Sequence, residues 1–394
     1  MSYPSTAGAR AGTPPRPWEA WTDAAKRPGG RSVVGDVHEV LRRLSTLEPG
    51  EEPVISAYLD MRPQETGENP AVRSGLIVLK DRLREIEATF WPRGAAFDSV
   101  RADAARIERY LSEEAPSSAQ GLALFACAAR NLFEAVAAGV AFENQVTSAP
   151  VPDLFQLARL LDEQETAVVA VVDTNTARLF VTRTGFLDEV GGPDDKNTKY
   201  YRKVSLGGLN AARYQRHADE RRAEFAREAA AEIQRVVQDE GAARVILAGD
   251  EVAIPLLRAA LAPRVDALVQ EVLRLHIRAP RNEVAAEIEP ILARMEAEEE
   301  QALADQLIGA IRGSGLGVAG AEPTGRALEH GQVDVLLLDP TAELDEALRG
   351  EFVRLAVATG ATVEIVENYE PFRQLGGVGA LLRYRHEAPP AAVH

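Results

Sequence analysis

Short apolar runs of strand length recur along this chain, separated by stretches of helical period, and this alternation narrows its possible folds more than any other feature. Pro53–Leu59, Gly121–Ala126, Thr166–Val172, Val245–Gly249 and Val333–Leu338 are β-branched or apolar but for Ser56 and Asp334, as strands buried on both faces tend to be. Between them, Val37, Val40, Leu41 and Leu44 fall at helical spacing, as do Ile77, Leu79 (or Lys80), Leu83, Ile86 and Phe90, and a further helix is expected over Val100–Leu111. This pattern predicts an α/β (α+β) protein with mixed sheets. No apolar run approaches the roughly 18–20 residues of a membrane-crossing helix, and no basic-then-apolar leader opens the sequence, so a cytoplasmic protein with no membrane partner is expected.

A chain of 394 residues is expected to form two or three domains at roughly 100–200 residues each. Residues 1–30 are rich in Pro, Gly, Ala, Ser and Thr without periodicity and read as a disordered tail. Trp18 and Trp21 within it either pack onto the first domain or form a short binding segment. An N-terminal α/β domain is expected over 31–162. A central domain over 163–280 opens with a hairpin whose turn is Asp173-Thr174-Asn175. A linker helix over 281–312 follows, then a C-terminal α/β domain over 313–386 and a tail over 387–394. The acidic run Glu296, Glu298, Glu299 and Glu300 reads as a solvated helix face.

Few residues suggest chemistry. The single cysteine, Cys127, excludes a disulfide framework or a cysteine-based metal centre and reads as an inert core thiol in a reducing compartment. The six histidines are scattered, and neither a nucleophile elbow nor a phosphate-binding loop is present. Gly315-Leu316-Gly317-Val318-Ala319-Gly320 spells G-x-G-x-x-G, but a helix is expected before it and Pro323 after it. The strand–turn–helix context of a dinucleotide site is therefore missing. No cofactor or metal is expected.

The exception is the segment 196–222. Lys196, Lys199, Arg202, Lys203, Arg213, Arg216, Arg221 and Arg222 stand there against Asp219 and Glu220, a local charge of +6 in a chain whose total is −16. Such a patch can neutralise phosphates while the acidic remainder suppresses indiscriminate binding. Tyr200 and Tyr201 are placed to stack on bases or ribose. Within the patch, Gly207-Gly208-Leu209-Asn210 leads into a helix predicted over Asn210–Gln238. The two glycines permit positive φ and close backbone approach, and Asn210 reads as the N-cap. The plainer alternative is an ordinary turn before a helix.

These residues resemble a known family. Ser205-Leu206-Gly207-Gly208-Leu209-Asn210-Ala211-Ala212-Arg213-Tyr214-Gln215-Arg216 resembles the GGQ-S-x-x-R-F-x-R segment of archaeal and eukaryotic class-I release factors. Val245–Gly249 is similar to the strand after the long helix of the same domain. Gln374-Leu375-Gly376-Gly377-Val378-Gly379-Ala380-Leu381-Leu382-Arg383-Tyr384 resembles the close shared by release factors and pelota. The three matches stand in family order over roughly 165–385. The first domain resembles the family only loosely, at Ile55–Asp60 and Gly121–Phe125.

The departures carry most of the functional content. Leu209 stands where the family has the glutamine that helps to place water at the peptidyl-tRNA ester, and no N-I-K-S or Y-x-C-x-x-x-F stop-codon motif is present. The resemblance therefore points to a bacterial branch of the superfamily that includes a ribosome hibernation factor. It implies a three-domain release-factor/pelota-like architecture, with a long helical arm in the central domain. It also implies a protein that occupies the ribosomal A site and contacts rRNA and P-site tRNA without catalysis. Its Lys196–Arg216 loop would lie near the peptidyl transferase centre. Elongation factor Tu or another translational GTPase is the implied delivery partner. The alternatives are a release or rescue factor that hydrolyses peptidyl-tRNA despite Leu209, and an RNA-binding protein acting off the ribosome.

Overall fold

The computed structural model describes residues 37–63, 74–90, 94–163, 165–193 and 209–384, and for 209–215 the backbone alone. Among the described residues thirteen strands form three sheets, with eleven α-helices around them. The expected mixed α/β class holds.

The first sheet is wholly antiparallel, in the order β3-β2-β1-β4: β1 is Val54–Asp60, β2 Gly121–Cys127, β3 Leu132–Ala138 and β4 Gln145–Ala149. Alternation along β1 divides its side chains between two cores. Ile55, Ala57 and Leu59 pack with Leu79 and Leu83 of α2 (Ser74–Thr89) and with Val100 and Ile107 of α3 (Ala95–Glu113). Ile77, expected on the apolar side of α2, is 50% exposed. Its place is taken by the partly buried Leu76, while Leu79, Leu83, Ile86 and Phe90 pack inward as expected. Cys127 is buried, as expected of a core thiol.

Tyr58 points to the other face. Its ring meets Phe125 and Phe142 edge-on at centroid distances of 5.7 and 5.2 Å, and its hydroxyl donates to the Asp153 carbonyl at 2.8 Å. Burial, and secondarily the Asp153 carboxylate, push that phenol well above its ordinary range. Tyr58→Phe should cost about 1–2 kcal/mol in urea unfolding, because it strands a shielded carbonyl while keeping the ring.

The core around Tyr58 continues into the C-terminal part of the chain. It takes in α1 (Val37–Ser45), α4 (Phe155–Glu163) and α10 (Glu346–Ala358), and reaches the sheet β10-β13-β11-β12. In that sheet β10 is Gly317–Ala319, β11 Val333–Leu338, β12 Thr362–Ile365 and β13 Val378–Leu382, with β11 and β12 parallel. Gly377, in the resembling close, sits at φ +64°, and a Cβ there would crowd Ala342 and Asp339.

The central sheet has the order β7-β6-β5-β8-β9: β5 is Ala167–Val172, β6 Ala177–Arg183, β7 Phe186–Gly191, β8 Arg244–Gly249 and β9 Val269–Leu273. β5, β8 and β9 are parallel; β6 and β7 are antiparallel. The β5–β6 turn forms at Asp173, whose Oδ1 accepts from the N–H groups of Asn175 and Thr176, each at 2.7 Å. One face carries α5 (Leu209–Glu240) and α6 (Ala253–Ala260) over Val168, Ala170, Leu179 and Leu247. The other packs Val169, Val171, Phe180 and Ile246 against α8 (Arg281–Arg312) through Val284, Ile288, Ile291 and Met295. Further along, Ala304 and Leu307 of α8 pack on Leu337 and Leu381 of the C-terminal sheet and on Phe372, between β12 and β13.

That double duty overturns one expectation. Glu298 and Glu299 are exposed, but Glu296 and Glu300 are 9% and 7% exposed, so the acidic run is not a uniformly solvated face. α8 passes between two packed units, so its middle turns have protein on more than one side. Arg244 supplies the counter-charge, with Nη2 3.1 Å from Glu296 and 3.1 Å from Glu165, and also pairing with Glu299.

The glycine run at 315–320 also differs from expectation. A helix, α9 (Ala321–Glu329), does open after it, with Gly320 at the cap (φ +89°) and Pro323 in the first turn, where proline is tolerated. The site is still not a dinucleotide fingerprint. The only strand, β10, lies inside the motif, is three residues long and pairs antiparallel to β13.

Candidate nucleic-acid interface

α5 spans 32 residues, about 48 Å at 1.5 Å per residue. Its first buried side chain among those described is Phe225; from Arg216 to Glu224 none is buried. The stretch from Arg216 to Glu224 alone is roughly 13 Å of helix before the first core contact at Phe225. From Phe225 on, Ala229, Ile233 and Val236 repeat at helical spacing and seat the helix on the central sheet.

Charge divides along the same line. The N-terminal half carries Arg213, Arg216, Arg221 and Arg222 against Asp219, Glu220 and Glu224, a small basic excess; beyond Phe225 acidic residues dominate. In the C-terminal half Arg235 is tied to Glu232 and Asp239 at 2.6 and 2.8 Å, and the hydrogen bond from Arg235 holds Glu232 below the usual carboxylate range. In the N-terminal half Arg222 meets Asp219 at 3.3 Å, and His217 meets Glu220 at 3.3 Å. Exposed i,i+3 pairs of this kind contribute only about 0.3–0.5 kcal/mol, so a phosphate can displace them. The helix N-terminus adds a favourable field for anions at the same end.

Of the residues expected to bind RNA, Lys196, Lys199, Arg202, Lys203, Gly207 and Gly208 lie outside the described residues. Leu209, Asn210 and Arg213 are in the first turns of α5, and Arg216 is exposed on the third. Positions 209, 213 and 216 fall on one helix face by spacing. Asn210 is the second helical residue and not the N-cap, because the helix begins one position earlier than its sequence suggests.

Sequence reading missed a cleft of about 490 Å³ where β5 and β8 end. Asp173, Asp250, Glu251, Arg274 and His276 are among its lining. A Cβ on Gly249 (φ +149°) would collide with the Val172 carbonyl, so only glycine lets the two strands end side by side here. The acids of the cleft have structural partners. Asp173 closes the hairpin turn. Asp250 Oδ1 accepts from the N–H groups of Val252 and Ala253 at 2.9 and 2.7 Å, and Glu251 pairs with Arg274. Among the described residues no group of side chains is arranged to hold a metal ion, and no helix is long and apolar enough to cross a membrane.

Residues 152–293, from just before α4 into the first turns of α8, match the model of the bacterial archaeo-eukaryotic release factor family 10. Curated proteins give no match. Among solved structures, the archaeal translation termination factor aRF1 is 17% identical with a TM-score of 0.27, covering 89% of this chain and 97% of its own. Archaeal Pelota, from a model of ribosome-bound Pelota and ABCE1, is 14% identical with a TM-score of 0.42, covering 89% and 94%. Dom34 of S. cerevisiae, a translation termination-like factor interacting with Hbs1, is 11% identical with a TM-score of 0.41, covering 65% and 75%. The family match over residues 152–293 takes in the central sheet and the α5 arm, so it is this central stretch that is similar to the bacterial archaeo-eukaryotic release factors.

Proposed function

We propose that this protein is a ribosome-associated translation factor of the hibernation kind, akin to Balon. It occupies the A site and presents the basic loop and the first turns of α5 to ribosomal RNA near the peptidyl transferase centre, without chemistry of its own. The observation that carries this reading is the polarity of α5, a helix seated on the sheet by its C-terminal half, with Arg216, Arg221 and Arg222 on the stretch Arg216–Glu224, where no side chain is buried. It is supported by the family match and by Leu209, whose side chain has no donor or acceptor to orient water. Delivery by elongation factor Tu or another translational GTPase belongs to the same proposal.

The reading is tested by adding purified protein to ribosomes that hold a peptidyl-tRNA. It should co-sediment with them in a salt-sensitive manner and release no peptide above background, with or without a stop codon in the A site. Codon-independent release would establish the rescue-factor alternative. Hydrolysis gained on Leu209→Gln would indicate that the catalytic placement persists and only the water-orienting group is gone. Absence of co-sedimentation at low salt would sink the proposal.

A further inference from the structure

Where the three sheets approach one another, the structure gathers carboxyl groups far in excess of the cations that face them. From α4, Asp162 accepts a hydrogen bond from the Ile365 N–H, at the end of β12, at 2.6 Å. From α8, Glu300 accepts from the Glu367 N–H at 2.7 Å. Glu364 on β12 faces Asp162 and shares a hydrogen bond with it, and it also feels Glu165 and Glu299. Arg244, at the start of β8, faces Glu165, Glu296 and Glu299. Arg159 of α4 pairs with Glu163, with Glu367 at 2.6 Å and with Glu143 at 3.3 Å. Two guanidiniums are left to balance all of these carboxyls.

We propose that this seam is a proton-controlled pivot for the central unit and its α5 arm, closed while the carboxyls share protons and loosened as they ionise. Closure buries like charges that must either be protonated or repel. The elements concerned are the ones that connect the units. α8 packs on the central sheet on one side of Glu296 and on the C-terminal sheet beyond Glu300. The peptide from α4 to β5 carries Glu165 across the same gap. The N-terminal and C-terminal sheets are fused through the Tyr58 core, so the central unit is the part with freedom to move. A backbone bond from the Gly139 N–H to the Thr184 carbonyl at 2.9 Å limits how far.

The direction with pH follows from the environment of each group. Burial first, and neighbouring carboxylates after it, push Glu296 and Glu300 each up to about 7, against the lowering pull of Arg244 on the first and of the Glu367 N–H on the second. Asp162 is raised by burial and by Glu364, and Glu163 by burial. Acids with raised values bind protons more tightly in the closed seam than in an open one. Closure is therefore favoured at low pH and lost as pH rises through about 7.

The test needs no ribosome, so its outcome is independent of the proposed function. Spin labels on Arg101→Cys of α3 and Glu224→Cys of α5, both exposed positions, report the distance between the N-terminal unit and the arm; the buried Cys127 does not take the label. Between pH 6 and pH 8 the distance distribution should shift from one population toward a second. The ratio should change by up to about tenfold per pH unit for each proton released. Adding Glu296→Gln and Glu300→Gln should hold the pH 6 distribution at both values. If that double variant does not fold, Glu300→Gln alone should remove part of the response. A distribution that does not move with pH, or that moves equally in the glutamine variants, overturns the pivot.

Discussion

Arg244→Met should destabilise the protein by about 3 kcal/mol at pH 7.5, and by clearly less at pH 5. Arg244 is 5% exposed and holds Glu165, Glu296 and Glu299 together at the start of β8. Removing one partner of a buried ion pair typically costs about 3–5 kcal/mol, because the remaining charge is left uncompensated. The lower end applies, since the Glu165 and Glu299 side chains are 42% and 58% exposed and can turn to water, whereas Glu296, at 11%, cannot. Methionine keeps most of the aliphatic stem, so the loss reports charge and not a cavity. As pH falls through about 7 Glu296 takes up a proton, and the guanidinium then has less to neutralise. The penalty therefore belongs to high pH and fades below it. Urea unfolding at the two pH values measures it. Adding Glu296→Gln to the Arg244→Met chain should recover part of the loss at pH 7.5. A loss independent of pH would show that the stem, and not the charge, was what mattered.

This example also marks the limit of what the sequence makes legible. Strands buried on both faces, such as Ala167–Val172 and Arg244–Gly249, announce themselves, because a continuous apolar, β-branched-rich run has few other uses. So do helices as long as α5 and α8. Short half-exposed strands did not stand out: β4, β7 and β9 mix polar and apolar residues, and their pairing partners decide them. The burial of Glu296 and Glu300 was invisible for the same reason. An acidic run reads as solvated unless one knows that two sheets flank the same helix. Ile77 and Asn210 were misplaced by one helical position each, which local spacing alone does not fix.

For the candidate interface the balance is reversed. The basic residues and the Gly207-Gly208 pair are conspicuous in the sequence, and most of them lie outside the described residues. The structure adds what no composition could supply: Phe225 is the first buried side chain of α5 among those described, and Arg216, Arg221 and Arg222 lie before it. The cleft beside Gly249 was illegible, since its residues come from three separate strand ends, those of β5, β8 and β9.

Reversing Lys199, Arg202 and Lys203 to glutamate together should abolish ribosome co-sedimentation at physiological salt, while leaving the fold intact. The patch carries +6 in a chain of −16, so any approach to RNA must be led by it. Each phosphate neutralised releases counterions and contributes a slope of roughly −0.7 to −0.9 in the logarithm of affinity against the logarithm of salt. Losing three such contacts should flatten the wild-type slope by roughly 2–3, a change that no loss of shape complementarity produces. Affinity should fall by on the order of 100-fold or more, because the reversed side chains also repel phosphate. The matched control reverses three exposed arginines elsewhere, Arg101, Arg109 and Arg312, giving the same change in net charge. If binding depends on where the charge sits, the control should bind nearly as the wild type does. If it depends only on total charge, both variants should weaken alike, and the basic loop would lose its place as the RNA-facing element. Binding that persists in the Lys199, Arg202 and Lys203 variant with an unchanged salt slope would move the contact to the α5 arginines. Reversal of Arg213 and Arg216 would then have to reproduce the loss.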